Sequence, residues 1–389
     1  MAKRTSSIES KTRRKKKNFS SHSSSPTRVA TKGGEEIYLF ESLPSEARLM
    51  KKIFPWLILI TFIVVVFAFL LIEIYRFTKS IDYSELITSK LSKEKTITVI
   101  LVGDIMLDRG VEYMVEKEGK GDFRFPFLKI ADDLKEADLL FGNLEGVISD
   151  KGIKVGSIYS FRADPKAIEG LSFASFNVLS LANNHAFDYA REALEDCLAK
   201  LNNTGIGYVG AGFNGKEAYS PFVKEVEGIK IAFLAYTNLG SPNWGATENS
   251  SGIAWVDWKN LEKIKKDIQT AKNQVDIVIV SLHSGEEYSN EPTKFQVEFS
   301  KMVIEAGADL IVGHHPHVIQ PNEKYLSASS GQAGWIFYSL GNFIFDQSFS
   351  EETMKGQIVE VLIENKQIKK IIAEEIKINK FFQPVIKNE

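Results

Sequence analysis

Five of the six histidines, His185, His283, His314, His315 and His317, fall immediately after apolar runs of strand length. The same turns carry Asp104, the pair Asn143 and Glu145, and Asn184 beside His185. Imidazole nitrogens mixed with carboxylate and amide oxygens make a donor set suited to Zn²⁺, Mn²⁺ or Fe. Two such ions about 3.5–4 Å apart can clamp an oxyanion, as in two-metal hydrolases. The densest stretch is His314-His315-Pro316-His317. Three imidazoles in four residues repel one another when protonated and are costly to bury unpaired, so a purely structural role suits them poorly.

Singly, the other turns say less. Gly103-Asp104 is equally a turn with a helix cap, and Asn183-Asn184-His185 equally a hydrogen-bonded loop. Arg109 and Arg162 follow such turns and would suit a carboxylate or phosphate of a substrate, or a salt bridge with an acidic neighbour. Common placement raises the set above its members, because open α/β sheets bind ligands beyond the carboxyl ends of their strands.

The elements that must position these residues show as alternating patterns. Strands are predicted over 97–102, 138–141, 177–182, 230–236, 275–282, 310–312, 335–339, 357–363 and 368–376, and helices over 126–136, 189–202, 258–271 and 293–306. The first two-thirds reads β-α-β-α, helices covering a mostly parallel sheet, and the end is strand-rich. No linker divides residues 96–380, which are expected to form one extracytoplasmic domain.

Ile53 to Ile72 is a run of twenty uncharged residues, enough at ~1.5 Å per residue to span the ~30 Å hydrocarbon layer. Fifty-two residues precede it and Glu73-Ile74-Tyr75-Arg76 follows, unlike a cleaved signal peptide. Residues 1–52 carry a net +8, including RRKKK at 13–17, residues 53–94 are neutral, and residues 95–389 carry −10. The expectation is a basic, disordered cytoplasmic tail (1–52), one transmembrane helix (53–72), a stalk (73–95) and an outer domain: a single-pass bacterial cell-membrane protein with its N-terminus inside. The tail is short, lacks interleaved aromatics and is joined to an acidic body, so no nucleic-acid partner is expected. The single cysteine, Cys197, precludes an intramolecular disulfide and reads as a buried small hydrophobe.

Taken together, GDIML (103–107), GNLEG (142–146), FRADP (161–165), ANNH (182–185), HSGEEY (283–288), GHHPHV (313–318) and YSLGNFIFDQ (338–347) closely resemble the capsule-synthesis branch (CapA, poly-γ-glutamate synthesis) of the calcineurin-like metallophosphatase superfamily. The resemblance implies an α/β/β/α sandwich of two mixed sheets. It makes Asp104 the first metal ligand, puts Asn143 in the place of the bridging Asp with Glu145 as a further carboxylate, and makes Asn184, His283, His315 and His317 ligands. His185 would protonate the leaving group, with Asp104 also in the catalytic set, and His314 would stand behind the ligands. Met106 replaces the histidine of the superfamily's Asp-x-His, which with Asn143 points to one divalent ion, or to a second held weakly through Glu145. The implied function is capsule or poly-γ-glutamate-type polymer biogenesis through a metal-dependent, hydrolase-like site acting on a phosphoester or γ-glutamyl amide. The other reading is a non-catalytic assembly or export subunit that grips polymer. Implied partners are an anionic polymer such as poly-γ-glutamate, the membrane and other polymer-synthesis membrane proteins.

Overall fold

The computed structural model describes residues 46–80, 96–155, 158–328 and 331–386. The chain divides into two units, Met1–Leu86 and Ile87–Glu389.

Among the described residues of the first unit, one helix runs from Glu46 to Ser80. Its segment Ile53–Lys79, 27 residues with mean hydropathy 3.1 and none of it buried against protein, is long and apolar enough to cross a membrane. The helix continues past the expected end at 72 into the polar flank. There Arg76 pairs with Glu73 one turn back at 3.0 Å, and the Thr78 hydroxyl donates to the Tyr75 carbonyl at 3.0 Å; such i, i+3 contacts let charged residues extend a helix. The rest of the expected stalk (81–95) and the basic tail up to residue 45 lie outside the described residues.

The second unit is built on strands β1 (Thr96–Ile105), β2 (Leu139–Leu144), β3 (Val147–Ile148), β4 (Arg162–Ala163), β5 (Val178–Ser180), β6 (Gly207–Val209), β7 (Ala211–Gly212), β8 (Phe222–Val226) and β9 (Ile229–Thr237). It continues through β10 (Gly252–Ile253), β11 (Ile277–His283), β12 (Leu310–His314), β13 (Asn322–Leu326), β14 (Ala333–Phe337), β15 (Asn342–Ile344), β16 (Lys355–Glu364), β17 (Gln367–Ile378) and β18 (Pro384–Ile386). One sheet has the order β18-β17-β16-β1-β2-β5-β6, with β15 also on β1; the other runs β13-β14-β12-β11-β9-β8. The first is antiparallel from β18 to β1 and parallel from β1 to β6, and the second is parallel from β14 to β9 and antiparallel at both edges, so the sheets are mixed rather than mostly parallel.

Alternation along the strands decides the layering. Val99 and Leu101 of β1 face inward onto Phe233, Ile279 and Val312 of the other sheet, and Phe141 stacks on Phe233 at 5.4 Å. Ile100 and Val102 face outward, joining the core beneath the helix Ala190–Thr204 with Leu194, Cys197 and Leu198. Helices Leu261–Lys272 and Lys294–Glu305 cover the second sheet through Ile264, Ile268, Phe299 and Val303. The result is a four-layer α/β/β/α sandwich. Burial holds the Cys197 thiol up at about 12, an inert core group as expected.

The helix expected over 126–136 is instead a 3₁₀ turn, Phe125–Phe127, and a single turn, Ala131–Leu134, separated by Ile130 at φ −132°. A helix not expected, Arg109–Lys117, starts where the Asp108 carboxylate accepts the Arg109 N–H at 2.7 Å. Both sheets send their parallel strands' carboxyl ends to one edge. His283 and His314 are the last residues of β11 and β12, paired in register, rather than lying in the loops beyond.

Candidate metal centre

Asp104 lies next to last in β1, in register with Asn143 on one side and Asn342 on the other. The glycines before the histidine and aspartate are required by close approach. A Cβ on Gly103 would stand 2.0 Å from the Gly341 oxygen, and one on Gly313 1.8 Å from the Tyr338 oxygen. These tight crossings bring Asp104 and His314 from different sheets together.

The Asp104 carboxylate is fully buried. It accepts from Asn143 Nδ2 at 2.8 Å and from the His315 backbone N–H at 3.1 Å, with His314 Nδ1 at 3.3 Å and His317 Nδ1 at 3.5 Å. His283 places Nε2 2.7 Å from Asn184 Oδ1 and Nδ1 3.2 Å from Asn143 Nδ2. Glu145 Oε1 lies 3.6 Å from Nε2 of both His185 and His317. Donor atoms converge within 4.8 Å in two groups: Asp104, Glu145 and His283, and Glu287, His315 and His317. The expected ligands Asp104, Asn143, Glu145, Asn184, His283, His315 and His317 are thus brought to one place, and Glu287 joins them.

This donor set fits a divalent ion. Both carboxylate oxygens of Glu145, Nε2 of His314 and Nδ1 of His315 are buried without a hydrogen-bond partner. A buried carboxylate left without a donor costs free energy comparable to its lost hydration, about 1–3 kcal/mol or more for a charge. A cation among these atoms would remove that cost. The backbone bends to aim the rings: His315 has φ 98° and His317 φ 58° on either side of Pro316, conformations that cost about 1–3 kcal/mol each for a non-glycine residue.

Charge is distributed accordingly. Burial would raise Asp104, but His314 and His317 beside it hold it well below the usual carboxylate range. Burial pushes Glu145 well above that range; His317 opposes the rise, while Asp104 and Glu287 reinforce it. Burial, then the neighbouring histidines, lowers His283 and takes His315 to about 3. Neutral imidazoles keep the lone pairs that metal ligation needs. At His317, burial is outweighed by Glu145 and Asp104, which lift it to about 9.

His185 stands at the border of this cluster. Its Nδ1 lies 2.6 Å from Asp188 Oδ2, which fixes the tautomer and leaves Nε2 directed at Glu145, and its ring stacks on Phe161 at 4.0 Å. A cleft of about 600 Å³ opens here, lined by His185, Asp188, Trp244, Glu287, Tyr288 and His317 among others. Arg109 also lines it, but its guanidinium forks onto Asp346. Arg162 does not line it: the guanidinium donates to the Lys151 and Gly152 carbonyls at 3.0 and 3.1 Å and lies over Tyr189 at 4.1 Å. Met106 is buried with its sulfur accepting the Asp108 N–H at 3.2 Å.

Residue types alone assign no role to Asp188, Asn342 and Asp346. Asp188, three residues after His185, had a usable signal in that spacing. Asn342 and Asp346 had none beyond membership of a motif.

The chain is 34% identical over 266 residues to the capsule biosynthesis protein CapA of Bacillus anthracis, covering 67% of this chain and 62% of that one. It is 33% identical over 264 residues to the PGA biosynthesis protein CapA of Bacillus subtilis strain 168, covering 67% and 66%. The chain therefore spans less than two-thirds of the length of these two relatives. A probable polyglutamine synthesis accessory protein of Mycobacterium tuberculosis is 26% identical over 289 residues, covering 64% of this chain and 74% of that one. Among solved structures, a phosphatase from Mycoplasma pneumoniae matches with 16% identity and a TM-score of 0.44, over 73% of this chain and 94% of that one. The residues that match the family model, 98–347, contain every candidate ligand, and the chain belongs to the bacterial capsule synthesis protein family PGA_cap.

Proposed function

We propose that the protein is a membrane-anchored, extracytoplasmic component of capsule or poly-γ-glutamate-type polymer biogenesis, whose metal site acts on the polymer or its attachment as a hydrolase or transferase. The carrying observation is Glu145: a fully buried carboxylate without a hydrogen-bond partner, facing two imidazoles and close to Asp104 and His283. Asp104, Glu145, His283, His315 and His317, with Asn143, Asn184 and Glu287 beside them, would hold one or two divalent ions (Mn, Zn or Fe). Bound there, such ions supply Lewis-acid activation of water and stabilise charge on a phosphoryl or acyl oxygen.

The chain's own groups do the rest. In its protonated form His185 gives the Nε2 proton to the leaving group, while Asp188 holds Nδ1 and stabilises the imidazolium. The basic residues before Ile53 support an inside N-terminus, and the polymer and other polymer-synthesis membrane proteins are the partners this placement would give. Asn143, tied up as a hydrogen-bond donor to Asp104, favours a second reading in which the site only grips polymer. The test is elemental analysis of the purified full chain, together with hydrolysis of a model phosphodiester and a γ-glutamyl amide. Metal bound with neither bond cleaved favours the grip, and a chain that takes up neither Mn²⁺ nor Zn²⁺ rejects both readings.

A further inference from the structure

We propose that Phe161 is a positioning residue for His185, braced by the Arg109–Asp346 ion pair; the inference rests on His185 being the proton donor. The imidazole of His185 and the ring of Phe161 stack with centroids 4.0 Å apart and 27° between planes. The same phenyl ring has the Arg109 guanidinium 4.7 Å from its centroid and Phe345 edge-on at 5.8 Å. The backbone of Phe161 is tied to the same device, because its N–H donates at 2.8 Å to Asp188 Oδ2, the atom that faces His185 Nδ1 at 2.6 Å. Phe161 therefore touches the imidazole through its ring and the imidazole's carboxylate partner through its main chain.

Arg109 is committed to this assembly. Its Nε donates to Asp346 Oδ2 at 3.1 Å, its Nη2 donates to Oδ1, and the Gly110 N–H adds a bond to Oδ2 at 2.9 Å. A planar guanidinium forked onto a carboxylate is rigid, and this one lies over the Phe161 ring. On the far side, the Arg162 N–H donates to Asp108 Oδ2 at 2.7 Å, and Arg162 pairs with Val147, so the residue after Phe161 is fixed too.

The physical need is specific. A single hydrogen bond at Nδ1 fixes one atom of the imidazole and leaves the ring free to rock about it. A stacking surface fixes the plane, and with it the direction of Nε2. Proton transfer is sensitive to this direction, and a displacement of about 1 Å in a catalytic group can cost 10²-fold. Arg109 then acts through Phe161 instead of holding substrate, and the two roles separate kinetically. A substrate grip changes KM, whereas a brace changes kcat with metal content and KM preserved.

The experiment uses the full chain in nanodiscs. Turnover of bis(p-nitrophenyl) phosphate with Mn²⁺ is measured for Phe161→Leu, Phe161→Tyr, Arg109→Lys and Asp346→Asn. In parallel, ¹⁵N-histidine spectra of the Zn²⁺-loaded protein, with His185 assigned through His185→Gln, report the His185 tautomer. The expected result is that Phe161→Leu lowers kcat about 10–100-fold with KM and bound metal within about threefold, and that its His185 signal averages between tautomers. Phe161→Tyr keeps kcat within about threefold, and Arg109→Lys and Asp346→Asn lower kcat rather than raise KM. The proposal is overturned if Phe161→Leu leaves both kcat and the His185 tautomer unchanged, if Arg109→Lys acts on KM alone, or if Phe161→Leu and Phe161→Tyr both lose metal and fold together. Absence of turnover in the parent protein would reject the enzymatic reading, and the His185 spectra alone would then decide the positioning role.

Discussion

The side-chain oxygen of Asn342 lies 2.9 Å from Nδ1 of His317, joining a strand beside β1 to the loop after β12. Asn342 is itself anchored, since its Nδ2 donates to the Thr353 carbonyl at 2.9 Å and to Gln347 Oε1 at 3.1 Å. With Nδ1 carrying the proton, His317 presents Nε2 towards Glu145. Partners that orient a ligating imidazole are typically worth 10–100-fold in metal affinity. Asn342→Ala should therefore weaken Zn²⁺ binding by about that factor in calorimetric titration, and an unchanged affinity would show that His317 needs no such anchor.

Glu145 yields a prediction with two opposite arms. Its carboxyl group is buried without a hydrogen-bond partner and burial pushes it well above the usual carboxylate range, so in chelator its ionisation opposes the fold, and with metal it would become a ligand. Glu145→Gln should raise the melting temperature of the chelator-treated protein, consistent with relief of about 1–3 kcal/mol. It should also diminish the further stabilisation that added Zn²⁺ gives the parent chain. A variant less stable in chelator would mean that Glu145 is satisfied by some other group.

Away from the ligands, Glu112 sets a pH dependence. Burial, then the Asp108 carboxylate beside it, raises Glu112 from 4.5 to about 7. A carboxyl raised in the folded state binds its proton more tightly there than in the unfolded chain. Its favourable contribution is complete below about pH 4.5 and is lost as pH rises through 7. Because Glu112 is only partly buried, solvent screening reduces the effect to about 1 kcal/mol. Glu112→Gln should then stabilise the protein at pH 8 and have little effect at pH 4 in urea unfolding. Equal effects at both values would dissociate the carboxyl from the trend.

How far the sequence foretold the site follows from what fixes each part. The strands carrying Asp104, Asn143, His283 and His314 were legible because buried strands read as apolar runs, and polar residues at their ends stand out. The division into two sheets was legible only through the motif resemblance and not in the periodicity, because β1 takes β15 and β16 along different parts of its length, a choice made by contacts hundreds of residues apart. The helix Arg109–Lys117 was hidden because only Val111 and Val115 face the core, too thin a stripe for periodicity. Arg109 and Arg162 each suited a substrate anion or an acidic neighbour equally well. Their commitments to Asp346 and to the Lys151 and Gly152 carbonyls exist only in three dimensions.

Topology is open to a direct test. The apolar segment Ile53–Lys79 follows a tail rich in lysine and arginine, and such residues stay on the cytoplasmic side. Protease added to intact cells should digest the part after residue 80 and spare an epitope placed at the N-terminus. Protection of both parts would place the domain inside.

Whether the site cleaves or only holds turns on His185. Asn184 faces His283 at 2.7 Å, so the next residue reaches the cluster of candidate ligands without having to ligate. The imidazole is partly open to the cleft and oriented by Asp188. A general acid so placed contributes about 10²–10⁴-fold to the chemical step, whereas a bystander to polymer binding contributes little. His185→Ala should leave metal content near the parent value and abolish polymer production when supplied to a strain lacking the gene. His283→Ala should lose metal and output together, because it removes a buried ligand. If His185→Ala restores full polymer output while His283→Ala does not, the metal site is needed but proton donation is not, and the protein is a polymer-gripping subunit.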